Sequence, residues 1–388
     1  MENEINEKFE KLYSEFNKQV NSTLNILVVG KVSAGKSSFL NAFFDCEKDK
    51  PKFIVGAKSG ITTEVKFQMI GKNIKIADTP GLDDIKSENS QETIDMIEEG
   101  VDIGILVLSG SPDESQRIHY KNLKEKSEKI FIVLNKADNY SSENLKLILN
   151  QWKELLGVDE KIYPIVSRGY DAKDMIKDPI TLEETSIPVD EYGRPKTLKY
   201  VDDLREDVLS FLEKNGKDII LAKELKNKSK KAIGIIATAC ISAGGAAFIP
   251  GSALYIGAIQ AVAIASLSYL YTGKILSKSD AVSMLGVFAA ETVGTTLFLI
   301  AKSFLPPTGI VDVAAATIAV SVSAAMRATV AKLFESGHTL EDKQEIKDIF
   351  SKILPEAKKI FKDVKKDDIL NKDFYKDILS KLLKQKLQ

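Results

Sequence analysis

Gly30-Lys31-Val32-Ser33-Ala34-Gly35-Lys36-Ser37-Ser38 stands between an apolar run, Leu24–Val29, and a helix-like run over 39–44. A strand, a glycine loop, a Lys-Ser pair and a helix, in that order, are the parts of a phosphate cradle. Gly30 and Gly35 let the backbone turn its N–H groups toward phosphate oxygens. Lys36 reaches the outer phosphates and Ser37 offers a hydroxyl to Mg²⁺. The start of the helix adds partial positive charge.

Working outward from the cradle, residues 45–63 are polar and glycine-dotted and read as a loop, ending in Gly60-Ile61-Thr62-Thr63-Glu64. Two β-patterned runs follow, 64–70 and 73–77, separated by Gly71-Lys72 as in a hairpin. The second runs into Asp78-Thr79-Pro80-Gly81. A carboxylate at that strand end can hold Mg²⁺ through water. The Gly81 N–H can meet a γ-phosphate, so that the loop orders when the phosphate is present. A helix-like run, Gln91–Glu99, precedes the apolar Val101–Leu108, and a polar helix is predicted over about 113–127. The continuous apolar run 130–134 has the pattern of a buried parallel strand and ends in Asn135-Lys136-Ala137-Asp138. The Asp138 carboxylate can accept from both the N1–H and the N2–H₂ of guanine. Adenine has neither donor and would leave the carboxylate desolvated and unpaired, so Asp138 selects GTP over ATP. A helix over 142–156 carries the single tryptophan, Trp152, as a packing residue. A strand over 162–166 then ends in Ser167-Arg168, with the Ser167 backbone near the base.

The whole-chain totals exclude several alternatives. Lysine plus arginine number 54 against 55 aspartate plus glutamate, a net charge of −1 that gives no reason to expect nucleic acid as a partner. The two cysteines, Cys46 and Cys240, lie far apart, which fits a reducing, cytosol-facing location. The two histidines, His119 and His338, have no metal-ligand spacing around them and read as surface residues. The charged start, Met1-Glu2-Asn3-Glu4-Ile5-Asn6-Glu7-Lys8, argues against a secretory signal peptide. Ile5, Phe9, Leu12, Phe16 and Val20 form one helical stripe.

Gly30-x₄-Gly35-Lys36-Ser37, the threonine loop, Asp78-Thr79-Pro80-Gly81, Asn135-Lys136-Ala137-Asp138 and Ser167 follow the GTPase signature in its usual order. The stretch from Gly30 to Ala42 resembles bacterial dynamin-like and Era-like GTPases, of the translation-factor-related P-loop class. The resemblance covers residues 24–215, with a closing helix near 200–214. It implies a doubly wound α/β fold, GTP and GDP as ligands, and hydrolysis aided by Mg²⁺ on Ser37, Asp78 and one of Thr62 and Thr63. Nucleotide contacts are implied from Gly30, Lys31, Val32, Ser33, Ala34, Gly35, Lys36, Ser37 and Ser38. Others are implied from Gly81, Asn135, Lys136, Asp138, Ser167 and Arg168.

Two positions depart from the family pattern. Leu82 stands where Ras-type GTPases carry the glutamine that orients the attacking water, and Ser167-Arg168 replaces the usual Ser-Ala. The chain is thus similar to the hydrophobic-substituted GTPases, in which backbone, a cation or a partner chain positions the water. Ser33 occupies the position where such relatives carry Ser or Asn near a monovalent cation. Catalysis is therefore expected from Lys36, Ser33, Thr62 or Thr63, and Gly81, with slow turnover raised by K⁺ or by self-association.

The second half differs in kind. Residues 170–199 form a polar, proline-dotted excursion, either a plain structural detour or a partner surface. Residues 232–273 carry no charged side chain and are broken once, at Pro250-Gly251, into two arms. Arms of ~18–20 residues match the ~30 Å hydrocarbon thickness of a bilayer. Ala239, Ala243 and Ala247, and Gly257, Ala261 and Ala265, recur four apart as a close-packing ridge, with Lys226, Lys228, Lys230, Lys231, Lys274 and Lys278 flanking. The competing expectation is a buried bundle that includes the segments 281–301 and 310–325, where Glu291 and Asp312 would be costly in lipid. Phe248-Ile249-Pro250-Gly251-Ser252 and Tyr271-Thr272-Gly273-Lys274 resemble a helical domain of bacterial proteins distantly similar to immunity-related GTPases. The tail over 339–388 is lysine-rich and helical, with Pro355 expected to start a new helix. Its apolar face, Ile378, Leu379, Leu382, Leu383 and Leu387, would dock on the bundle or on a membrane surface.

The expected order is an amphipathic helix over 1–22, a GTPase domain over 23–215, a hydrophobic helical domain over 216–338 with a membrane hairpin at 232–273, and a helical tail. The expected function is a GTP-hydrolysing switch that couples nucleotide state to a helical domain at the inner face of a membrane. The alternative is a soluble GTP-regulated module that docks a protein partner.

Overall fold

A computed structural model describes residues 2–55, 66–79, 91–177, 182–246, 253–291, 310–362, 368 and 371–384. The chain divides into two compact units, Ser22–Lys226, and Met1–Asn21 with Asn227–Gln388. Helix α1 (Glu2–Asn21) belongs to the second.

The first unit is built on a six-stranded sheet of order β2-β3-β1-β4-β5-β6. Its strands are β1 (Leu24–Val29), β2 (Lys66–Ile70), β3 (Ile74–Thr79), β4 (Val101–Leu108), β5 (Ser127–Asn135) and β6 (Ile162–Ile165). All neighbours pair in parallel except the β2–β3 hairpin. The helices are α2 (Lys36–Phe43), α3 (Gln91–Glu99), α4 (Glu114–Lys126), α5 (Ser142–Leu156), α6 (Val201–Lys214) and α7 (Asp218–Glu224). Every residue of β1 and β4 is buried, as expected of central strands covered on both faces. Trp152 closes one side of the core with Leu123, Ile132 and Ile162, and its indole N–H donates to the Gly110 carbonyl at 3.1 Å. This is the expected doubly wound α/β fold.

Register fixes where the loops meet. Val28 pairs with Asp78, Val29 with Leu106, and Asn135 with Ile165, so the carboxyl ends of β1, β3, β4, β5 and β6 lie along one edge. The chain leaves β1 for β3 on one side and reaches β4 on the other. The crevice at such a reversal is where doubly wound sheets bind ligands. The excursion over 170–199 contains a small antiparallel pair, β7 (Met175–Lys177) and β8 (Glu184–Ser186), and its later part is held by bridges from Val166 to Lys199 and Val189 to Pro195.

The helical unit holds α1, α8 (Ser229–Ala246), α9 (Ala253–Thr272), α10 (Lys278–Glu291), α11 (Ile310–Glu335), α12 (Lys343–Ile360) and α13 (Lys372–Lys384). The stripe on α1 packs on α9, where the Tyr269 hydroxyl donates to the Val20 carbonyl at 3.2 Å. Helix α8 packs on α9, α11 and α13, and α12 on α11. Ala243, Ala261, Ala265, Ala324 and Ala328 are fully buried. Side chains that small let helix backbones approach closely.

No helix among the described residues is long and apolar enough to cross a membrane. The expected hairpin over 232–273 falls on α8 and α9. The described parts of the 232–273 arms spend their small residues on one another and on neighbouring helices. The break at Pro250-Gly251 and the later part of the segment 281–301, residues 292–301, lie outside the described residues. Two smaller expectations also change. Pro355 lies inside α12 rather than opening a new helix, because a buried stripe of Ile346, Ile349, Phe350, Ile353 and Ala357 holds both of its halves to the bundle. His338 is exposed as expected, but His119 is half-buried, on a helix that packs against β4 and β5. On the tail, Leu379 and Leu382 are buried with Tyr375, the docked arrangement.

Candidate nucleotide site

The phosphate loop spans the end of β1 and the start of α2. Its glycines are required by contact. A Cβ on Gly30 would lie 2.3 Å from the Val107 carbonyl oxygen of β4, and a Cβ on Gly35 would lie 2.4 Å from the Asn135 Nδ2. Gly35 also has φ +86°, and Ser33 before it has φ +65°. Left-handed residues on either side of Ala34 help turn backbone N–H groups inward, as in a concave anion cradle. Gly35 caps α2 without a side-chain hydrogen bond, so the first-turn amides face outward with no internal cap. Lys36 is buried, and its ammonium donates to the loop's own carbonyls, Gly30 at 2.8 Å and Lys31 at 3.3 Å, within 3.8 Å of the Asp78 carboxylate. Val32 is exposed at the loop apex, and Lys31 is tied to Asp113, the N-cap of α4, at 2.6 Å.

The base-side loop is stitched to the phosphate loop. The Asn135 amide donates to the Ala34 carbonyl at 3.0 Å and to that of Gly35 at 3.3 Å, and its oxygen accepts from the Ser167 hydroxyl at 2.9 Å. Lys136, with φ +61°, donates to the Ser33 carbonyl at 2.7 Å. The Ser33 carbonyl is thereby engaged by an ammonium. Asp138 follows in a 3₁₀ turn, Ala137–Asn139, and Arg168 Nη1 stands 3.7 Å from its Oδ2. The structure therefore brings together Gly30 through Ser38, Asp78, Asn135, Lys136, Asp138, Ser167 and Arg168. Thr62, Thr63, Gly81 and Leu82 lie outside the described residues.

The described donors for a divalent cation are the Ser37 hydroxyl, on the first turn of α2, and the Asp78 carboxylate, near the end of β3. Among the described residues no three His, Cys, Asp or Glu side chains could hold a metal unaided. Mg²⁺ at a nucleotide is bound by one or two protein oxygens plus phosphates and water, so this sparse oxygen set fits it.

At the far end of α2 lies a cluster that no sequence motif marks. Arg205 of α6 donates to the carbonyls of Ala42 at 2.6 Å and Phe43 at 2.9 Å, capping the helix where its dipole is negative. Asp45 forms an ion pair with Arg205 at 2.7 Å and accepts from Arg194 at 2.6 Å, and the Lys226 N–H approaches its other oxygen at 3.3 Å. Burial pushes the Arg205 guanidinium below its usual range. For Arg194, burial acts in the same direction, but hydrogen bonds to Asp45 and Asp190 outweigh it and raise the value. Asn41 pairs both ways with the Phe53 backbone, at 2.7 and 2.9 Å, pinning residues 51–55 to α2.

Residues 25–136 match the model of the family described as 50S ribosome-binding GTPase. GTPase Der of Thermosipho melanesiensis is 31% identical over 179 residues, 43% of this chain and 39% of that protein. The tRNA modification GTPase MnmE of Mycoplasma mobile is 32% identical over 152 residues, 36% of this chain and 33% of that one. GTPase Era of Clostridium kluyveri is 23% identical over 223 residues, 50% of this chain and 74% of that one. The chain thus spans less than half the length of its Der and MnmE relatives. The matched stretch holds the phosphate loop, Asp78 and Asn135-Lys136. The chain carries an α/β P-loop GTPase domain that is similar over this stretch to Der and Era GTPases.

Proposed function

We propose that this protein binds GTP and hydrolyses it to GDP and phosphate, using the change of state as a switch on its helical unit. The observation that carries the reading is the stitched pair of loops, in which Asn135 and Lys136 hold Ala34, Gly35 and Ser33. Phosphate recognition and base recognition are mechanically one object. Lys36 would leave the loop carbonyls for the phosphates, and the backbone of residues 31–36 would cradle them. Asp138 would accept from the guanine edge. Ser37, Asp78 and one of Thr62 and Thr63 would hold Mg²⁺, which supplies charge neutralisation at the β- and γ-phosphates. With Leu82 after Gly81, no glutamine is available to orient the attacking water, so slow turnover raised by K⁺ near Ser33 or by self-association is part of the proposal.

For the output, a protein partner docking on a GTP-controlled helical unit is favoured over membrane insertion. The support is the hydrogen bond from Gln260 to Ser323 at 3.1 Å and the buried guanidinium of Arg327, polar features suited to a bundle interior. The dynamin-like and immunity-related side of the resemblance is the membrane version of the same switch. The near-neutral chain lends no support to an RNA partner.

The test is GTP turnover of the purified chain against its own concentration, in K⁺ or Na⁺, with and without liposomes. Slow turnover in dilute Na⁺ buffer, rising with K⁺ or concentration and indifferent to liposomes, is expected. Fast turnover as a dilute monomer in Na⁺ overturns the activation scheme. Stimulation and sedimentation with liposomes would favour the membrane version, and a preference for ATP would overturn the assignment at its centre.

A further inference from the structure

Arg168 stands where the family pattern has a small residue, and its surroundings give it work. Its backbone is held from both sides: its carbonyl accepts from the Thr197 hydroxyl, and the next N–H, of Gly169, donates to Asp174 Oδ2 at 2.7 Å. From this fixed base the guanidinium bridges two places. Nη1 lies 3.7 Å from Asp138 Oδ2, and Nη2 donates to the Met175 carbonyl, at the start of β7, at 3.4 Å. Arg168 is 44% exposed and Asp138 30% exposed, so both charges keep much of their hydration and neither is a buried structural pair.

A carboxylate has about four lone-pair sites on two oxygens. Reading guanine takes one site on each oxygen, facing the N1–H and the N2–H₂. A guanidinium 3.7 Å from Oδ2 needs only one of the remaining sites and can restrain rotation of the carboxylate. We propose that Arg168 is a specificity-determining positioning residue for the base: it holds the Asp138 carboxylate in the orientation that reads both guanine donors, braced against the β7–β8 hairpin. This rests on the reading of Asp138 as the guanine-selecting residue.

Inosine diphosphate separates the two donors, because hypoxanthine keeps N1–H and lacks the 2-amino group. A carboxylate held in register gains from both donors of GDP, whereas a loosened one loses part of that advantage. Competition of GDP and of IDP against a fluorescent guanine nucleotide is measured on the full chain, for the wild type, Arg168→Ala and Arg168→Lys. Arg168→Ala should shrink the GDP-over-IDP preference about fivefold, the scale of a half-exposed ion pair. Arg168→Lys should restore part of it, since an ammonium can meet Oδ2 but lacks the planar fork that also reaches Met175. An unchanged ratio overturns the proposal, as does an equal loss for both nucleotides or tighter GDP binding by Arg168→Ala. A wild type that binds guanine nucleotides while Arg168→Ala keeps its ratio removes only the role of Arg168. A wild type that binds none removes the guanine reading as well.

Discussion

In the α/β unit the buried Arg205 faces the buried Asp45, shares it with Arg194, and donates to two carbonyls at the end of α2. In the helical unit Arg327 is buried more deeply, at 1% exposed, and its company is different. Nη1 donates to the Ser323 carbonyl at 2.9 Å and lies 4.0 Å from the Cys240 thiol, while Nε and Nη2 have no hydrogen-bond partner among the described residues. Burial lowers the Arg327 guanidinium and pushes the Cys240 thiol up to about 11, so the thiol stays protonated beside it at neutral pH. The first unit builds a polar cluster that fixes one end of the helix whose other end forms the candidate phosphate site. The second takes its cohesion from alanine-rich helix contacts and tolerates a guanidinium with no carboxylate beside it among the described residues. A satisfied network specifies one geometry, whereas an unpaired buried charge costs stability and specifies little.

Four substitutions can break or sharpen that contrast. Lys36→Ala removes the buried ammonium at the cradle and should weaken GDP binding about a thousandfold. Fluorescent-nucleotide titration checks this, and retained binding would place the phosphates elsewhere. Asp45→Ala leaves Arg194 and Arg205 without their shared anion and should destabilise the α/β unit by about 3 kcal/mol, read as a lower urea midpoint. An unchanged midpoint would mean that the cluster contributes nothing. Asp138→Asn converts an acceptor pair into one acceptor and one donor. It should move preference from guanine toward xanthine nucleotides about a hundredfold, measured by competition between GDP and XDP. The smallest effect is expected in the helical unit, where Arg327→Met should leave stability unchanged or raise it by about 1 kcal/mol. A drop of several degrees in the thermal midpoint would show that the guanidinium does have work to do.

The site was far more legible than its support. Gly30, Asp78 and Asn135 stand at strand ends and Gly35, Lys36 and Asp138 a few residues beyond one, and strands with short periodic apolar runs can be read locally. Asp45, Arg194 and Arg205 carry no such signal. They are 149 residues apart in one pair, and as single charged residues they look like any solvated surface. Pro355 misled for a related reason: its local preference to open a helix was overridden by the buried stripe on both sides of it. The uncharged run at 232–273 has a composition that suits lipid or a bundle equally, and the burial of Ala243, Ala261 and Ala265 among neighbouring helices is visible only in the tertiary structure.

By itself, then, the sequence determined that a phosphate loop, an acidic strand end and an Asn-Lys-x-Asp segment, proposed to read guanine, occur in the order of a doubly wound domain. Those features depend on spacing within a few residues and on the alternation of strand and helix. Only the tertiary structure decided that Asn135 and Lys136 clasp the phosphate loop, that Arg205 and Asp45 anchor the far end of α2, and that α1 packs with the C-terminal helices. Such pairings join residues distant in the chain. They depend on strand order, register and packed surfaces, and no local pattern encodes them.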